Sequence, residues 1–171
     1  MKQSDSPKSL AWFKLAEFVQ RGEKERALGI YKLLALSLEN LAFAYQLEGD
    51  ILLAFDDQDA KGKYFQAVEI YLNQHNIMAA TGILNHLVLL EPTNLTYWQK
   101  LTEIYCEHYS EKASQLIKNM VNCGQIRYAQ ESLKTLIYTY QQKQLNQQLK
   151  VFIAELENIN IELYLLSQTL I

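Results

Sequence analysis

Three times in this chain a glycine is followed by alanine five residues on and by a large apolar residue nine residues on. The copies are Gly22, Ala27 and Tyr31; Gly62, Ala67 and Tyr71; and Gly124, Ala129 and Leu133. Each member has a physical task. Glycine tolerates the left-handed backbone that reverses a chain after a helix. Alanine has no bulk to hold the next helix away, and the large residue one turn later fills the space beside the contact. His75, Ala80 and Leu84 give a fourth copy with histidine in place of glycine. A turn, a close approach and a filler, repeated along a chain, predict helix hairpins stacked on their neighbours.

The rest of the sequence agrees with helices. There are only 2 prolines and 6 glycines in 171 residues, and no run alternates apolar and polar residues as a strand would. Ser6 and Pro7 open the first helix, as N-cap and first helical residue. A second helix is expected over about 23–38 and a long third one over about 40–60, with Gly49 inside it. Lys61, Gly62 and Lys63 are expected to turn the chain into a fourth helix over about 64–74, and a fifth follows over about 78–90. Pro92 ends the fifth, because it disfavours the helical conformation at Glu91. Asn94 caps the sixth and Ser110 the seventh. An eighth is expected over about 125–140 and a last helix over 145–170. Eight or nine antiparallel helices in a single all-α domain, residues 1–171, is the expected fold.

On the sixth helix Trp98, Leu101 and Tyr105 share one face. This W-x2-L-x3-Y row after a proline resembles the first helix of a tetratricopeptide (TPR) repeat, and the Gly/Ala/large spacing resembles TPR second helices. The resemblance covers most of residues 8–140. It implies a right-handed α-solenoid that binds another protein, with 145–170 as a capping helix. The phase of the repeat is open. The three glycines pair helix one with two, three with four, and seven with eight, whereas Pro92 and Trp98 make helix five a second helix and helix six a first. SNAP-like solenoids with longer helices are the alternative architecture. At the positions where many TPR proteins clamp a peptide carboxylate stand Trp12, Ala16, Leu53, Thr96 and Lys100; only Lys100 fits, so that clamp is not expected.

Charge and composition narrow the function. The net charge is −3 with lysines and arginines dispersed, which argues against nucleic acid. No run of about 18 uncharged apolar residues predicts a membrane span. The polar start, Met1 to Pro7, lacks a signal-peptide core, and two cysteines are too few for a disulfide framework. A cytoplasmic, non-enzymatic scaffold without cofactors is the expectation, binding a peptide or helix of a partner. A small TPR chaperone for a secreted protein is one alternative. A zinc or nucleophile site around Cys106 and His108, with Cys123 and His86, is another of different class. Ligand spacing for zinc is missing, and residues at i and i+2 on a helix point apart.

The candidate partner-binding residues are acidic. Asp56, Asp57 and Asp59 gather at the expected end of the long third helix, where the helix dipole disfavours anions. They and Glu103 suit a basic or amide-rich peptide. Tyr97 and Tyr109 fall off the inward rows and are candidates for an interface. Leu145, Leu149, Phe152, Leu156, Ile159, Leu163, Leu166 and Leu170 form a seam with a period of 3.5. Val151, Ile153, Ile161 and Leu165 widen it, which favours a helix packed on its own domain, hence a monomer, over a homodimer seam.

Overall fold

The computed structural model describes residues 7–109 and 112–171. The expected caps Ser6 and Ser110 lie outside the described residues. Among those residues there are ten α-helices and no strand. In order they are α1 (Pro7–Gln20), α2 (Lys24–Ala35), α3 (Leu41–Ala54), α4 (Asp59–Asn73) and α5 (Ile77–Leu90). Then come α6 (Leu95–His108), α7 (Ala113–Asn122), α8 (Ile126–Gln142), α9 (Asn146–Ile159) and α10 (Ile161–Gln168). None of the helices so described is long and apolar enough to cross a membrane.

One turn geometry recurs. Gly22, Asp56, His75, Gly124 and Gln144 all have positive φ. At each, the same two backbone bonds close the preceding helix. Gly22 N–H donates to Val19 C=O and Glu23 N–H to Phe18 C=O; Gly124 and Gln125 donate in the same way to Val121 and Met120. This is the Schellman arrangement, which satisfies carbonyls that a helix end leaves open. The next helix then starts at once: Ala27, Ala80 and Ala129 N–H each bond the carbonyl four residues back. The residue five after the turn is therefore on the first complete turn of the new helix. Ala27, Ala80 and Ala129 are fully buried there.

Gly62 does not share this role. It lies exposed in the first turn of α4, and the chain reverses earlier, at Asp56. The long third helix is thus two elements with a break after Ala54. The inward row of α4 begins with Ala60 and Tyr64, followed by Ala67 and Tyr71, all buried. The last helix also divides. Asn160 leaves the helical conformation and its side chain accepts from Leu163 N–H at 3.1 Å, ending α9 and capping α10.

The chain forms two compact units, one ending at Ile83 and one running from Leu84 to Ile171. In the first, α1 packs on α2, α2 on α3, and α3 most closely on α4. Leu15, Ala27, Tyr31, Leu34 and Ile51 form a core there, with Phe18, Val19 and Leu47 against it. Tyrosine hydroxyls tie the helices together: Tyr31 donates to Ala44 C=O at 2.9 Å and Tyr64 to the Asp50 carboxylate at 2.6 Å. Leu10, Trp12 and Phe13 stay on the open side of α1, where Trp12 meets the Phe43 ring.

In the second unit each helix from α6 onward touches the next and the next but one, as far as the chain runs. Trp98 and Leu101 of α6 are fully buried and Tyr105 nearly so. The Trp98 indole N–H donates to Pro92 C=O at 2.8 Å and pins the turn before α6. Asn94 caps α6 by accepting from Thr96 N–H. The seam residues Leu149, Phe152, Leu156 and Leu163 are buried, with α9 on α7 and α8 and α10 on α8 and α9.

Candidate functional site

The acidic stretch is divided between jobs of local structure and open surface. Asp56 supplies the left-handed turn residue after α3. The Asp57 carboxylate accepts from Asp59 N–H at 2.9 Å and pairs with Lys24 Nζ at 2.5 Å, joining α2 to the α3–α4 turn. The Lys24 ammonium, with help from the Asp59 N–H, holds the Asp57 carboxyl below its ordinary range; the same hydrogen bond raises the pKa of Lys24. Asp57 and Asp59 thus stand at the start of α4 and not at the end of a long α3. There the helix dipole favours carboxylates, so the expected repulsion is replaced by stabilisation. Asp56 and Asp59 are exposed.

Glu103 lies elsewhere, in the second unit, on the wall of a groove of about 650 Å3 between α6 and α8. One wall is the row Leu95, Gln99, Thr102, Glu103 and Cys106; the other is Tyr128, Glu131, Ser132 and Thr135. Both rows follow the helical intervals of three and four, so each is one continuous face. The floor is polar and tight. Thr102 and Ser132 are buried, their hydroxyls 3.0 Å apart, and the Thr102 hydroxyl also donates to Trp98 C=O. These small side chains let α6 and α8 approach, and the longer residues on either side rise as walls.

The groove is acidic. Glu103 and Glu131 face it, and none of its lining residues is lysine, arginine or histidine. Burial raises the pKa of the Tyr128 phenol, and the Glu131 and Glu103 carboxylates raise it further, so both charges are felt at one ring. Gln99 Nε2 lies 3.4 Å from Glu103, and Arg127 Nε reaches Glu131 only at 3.9 Å. Beyond the groove's end, Lys143 Nζ donates to Cys106 and Glu107 C=O at 2.7 and 3.0 Å, capping the C-terminus of α6.

A second groove, about 440 Å3, lies among α5, α6 and α7 and carries the carboxamides of Asn85, Gln115, Asn119 and Asn122 beside Val88, Trp98 and Tyr105. Cys123 reaches this groove and Cys106 the first. Among the described residues no three of His, Cys, Asp and Glu come together around one point suited to a metal ion, so the structure does not join Cys106, His108, Cys123 and His86 into a zinc site. Burial pushes the Cys106 thiol up, away from the thiolate. Tyr97, expected at an interface, is buried instead, with its phenol hydrogen-bonded to Glu91; Tyr109 is half-buried, edge-on to Tyr105.

Glu103 was a candidate from sequence; Glu131, Thr102 and Ser132, which line the same groove, were not. Thr102 and Ser132 were hidden because a hydroxyl residue on a helix reads as surface until its facing helix is known. No family model and no curated protein matches the chain in sequence.

Proposed function

We propose that this chain is a non-catalytic, TPR-like helical-repeat adaptor of the cytoplasm whose α6–α8 groove holds a segment of another protein. The observation that carries the reading is the groove itself: two uninterrupted helical faces, a hydroxyl floor and acidic walls. From α6 onward, contact of each helix with the next and the next but one is what stacked helix hairpins of a solenoid produce, and it supports the same reading. Grooves of this sort take peptides as i, i+3, i+4 anchors or as extended chain.

The test is site-specific. A photo-crosslinking residue at Gln99, on the groove wall, is compared with one at Lys150, exposed on α9, in the cell of origin. A protein adduct formed from position 99, absent from position 150 and lost when Thr135→Trp fills the groove, is the expected result. Adducts indifferent to Thr135→Trp, or none from position 99, would sink the proposal.

A further inference from the structure

The groove's charge says more about what occupies it. Glu103 of α6 and Glu131 of α8 stand on opposite walls of one cleft, with the Tyr128 ring beside them and the Thr102–Ser132 hydroxyls beneath. Two carboxylates on facing walls of one cleft are complementary to a cation placed between them. The cation is not supplied by the groove, whose lining contains no basic residue. Of two cations beside it, the Lys143 ammonium is bonded to two carbonyls of α6, and Arg127, its side chain 94% exposed, meets Glu131 only at 3.9 Å. Leu95 at the cleft's edge and the Tyr128 face offer apolar and aromatic surface on which a long aliphatic stem and its charged head can lie.

We infer that the partner segment bound in the α6–α8 groove is basic, and that it inserts a lysine or arginine side chain between Glu103 and Glu131. This rests on the docking reading above and adds the chemistry of the ligand. The row from Leu95 to Cys106 spans about 16 Å of helix, which an extended segment of about five residues covers. Within that length one or two basic side chains can face the two carboxylates. Arginine has the advantage, since its planar fork can bridge the two walls while stacking on Tyr128.

Random-peptide display on the intact protein tests both levels. The selected peptides are then bound to the wild type, to Glu103→Gln/Glu131→Gln and to Thr135→Trp, with circular dichroism confirming that each variant is folded. The expected result is a lysine or arginine at a fixed place in the selected peptides. Binding should fall about tenfold or more in the double glutamine variant and weaken as salt rises. Uncharged peptides that bind wild type and the glutamine variant equally, yet are blocked by Thr135→Trp, would overturn the basic ligand and leave the groove as a docking site. Selection of no peptide, or of peptides indifferent to every variant, would overturn both.

Discussion

The ring of Tyr64 lies so close to Gly49 that a methyl group at position 49 would stand 2.9 Å from its Cδ1 atom. The contact joins α3 to α4. It explains why a glycine persists inside a helix, where it costs about 1 kcal/mol against alanine. Tyr64 cannot swing aside freely, because its ring is buried and its hydroxyl is held by Asp50.

Gly49→Ala is therefore expected to destabilise the protein by about 1–2 kcal/mol, overpacking outweighing the gain in helix propensity. In a Tyr64→Leu background the ring is gone and the same change should be neutral or stabilising. Urea midpoints of the two singles and the double complete the cycle. An equal cost of Gly49→Ala in both backgrounds would show that the ring is not the obstacle.

The recurrent turn predicts opposite effects at different positions. Gly22 and Gly124 hold φ values of +74° and +73°, so Gly→Ala at either should cost about 1–2 kcal/mol. Gln144 holds φ +54° without glycine's freedom. Gln144→Gly removes that strain and should raise stability by up to about 1 kcal/mol. Denaturant midpoints that fall on Gln144→Gly would mean the glutamine side chain stabilises the turn more than its backbone costs.

The helices and their inward rows were legible in the sequence because burial and period leave the same mark. Ala27, Ala80, Ala129, Trp98 and Leu101 are all buried where spacing put them. The repeat marked the turns at Gly22, His75 and Gly124 and misplaced the one it set at Gly62. Asp56 and Gln144 adopt the same left-handed conformation, which the Schellman bonds impose on whatever residue ends the helix. Missing Asp56 shifted the α3–α4 turn to Gly62 and drew α3 too long. It also placed the acidic residues at the wrong helix end. Asn160 was missed for a related reason: the seam of period 3.5 runs on through it, and only its side-chain bond to Leu163 shows the break. The groove required knowing that α6 lies against α8, a pairing that no local spacing encodes.

The Lys24–Asp57 pair predicts a response to pH. Folding lowers the Asp57 pKa below its ordinary 3.8, so near that pH the unfolded chain binds more protons than the folded one. The pair's contribution is complete above the ordinary value and is lost as pH falls through the folded one. Folding raises the Lys24 pKa above 10.5, so the contribution is also lost as pH rises through that higher value. Asp57→Asn should lower stability at neutral pH and lose less than wild type on going from about pH 6 to about pH 3. Parallel stability curves for wild type and variant across that range would remove the pair from the acid response.

The buried hydroxyls under the groove give the sharpest test of its floor. Thr102 Oγ1 sits 3.0 Å from Ser132 Oγ and 2.9 Å from Trp98 C=O. Ser132→Ala leaves Thr102 its bond to Trp98, so the cost should be about 1 kcal/mol. Thr102→Val keeps the shape but takes away the hydroxyl that faces Ser132. A buried serine hydroxyl without that partner should make this the costlier change, about 1–3 kcal/mol. The double variant removes both polar groups and leaves none stranded. It should be more stable than the sum of the two singles predicts, by about 1 kcal/mol in a double-mutant cycle. The α6–α8 approach would survive in it, since valine and alanine match the replaced volumes, so peptide binding to the groove should be nearly unchanged. Strict additivity of the two substitutions would show that the hydroxyls do not depend on one another. Loss of binding in the stable double variant would assign them to the ligand instead of to the floor.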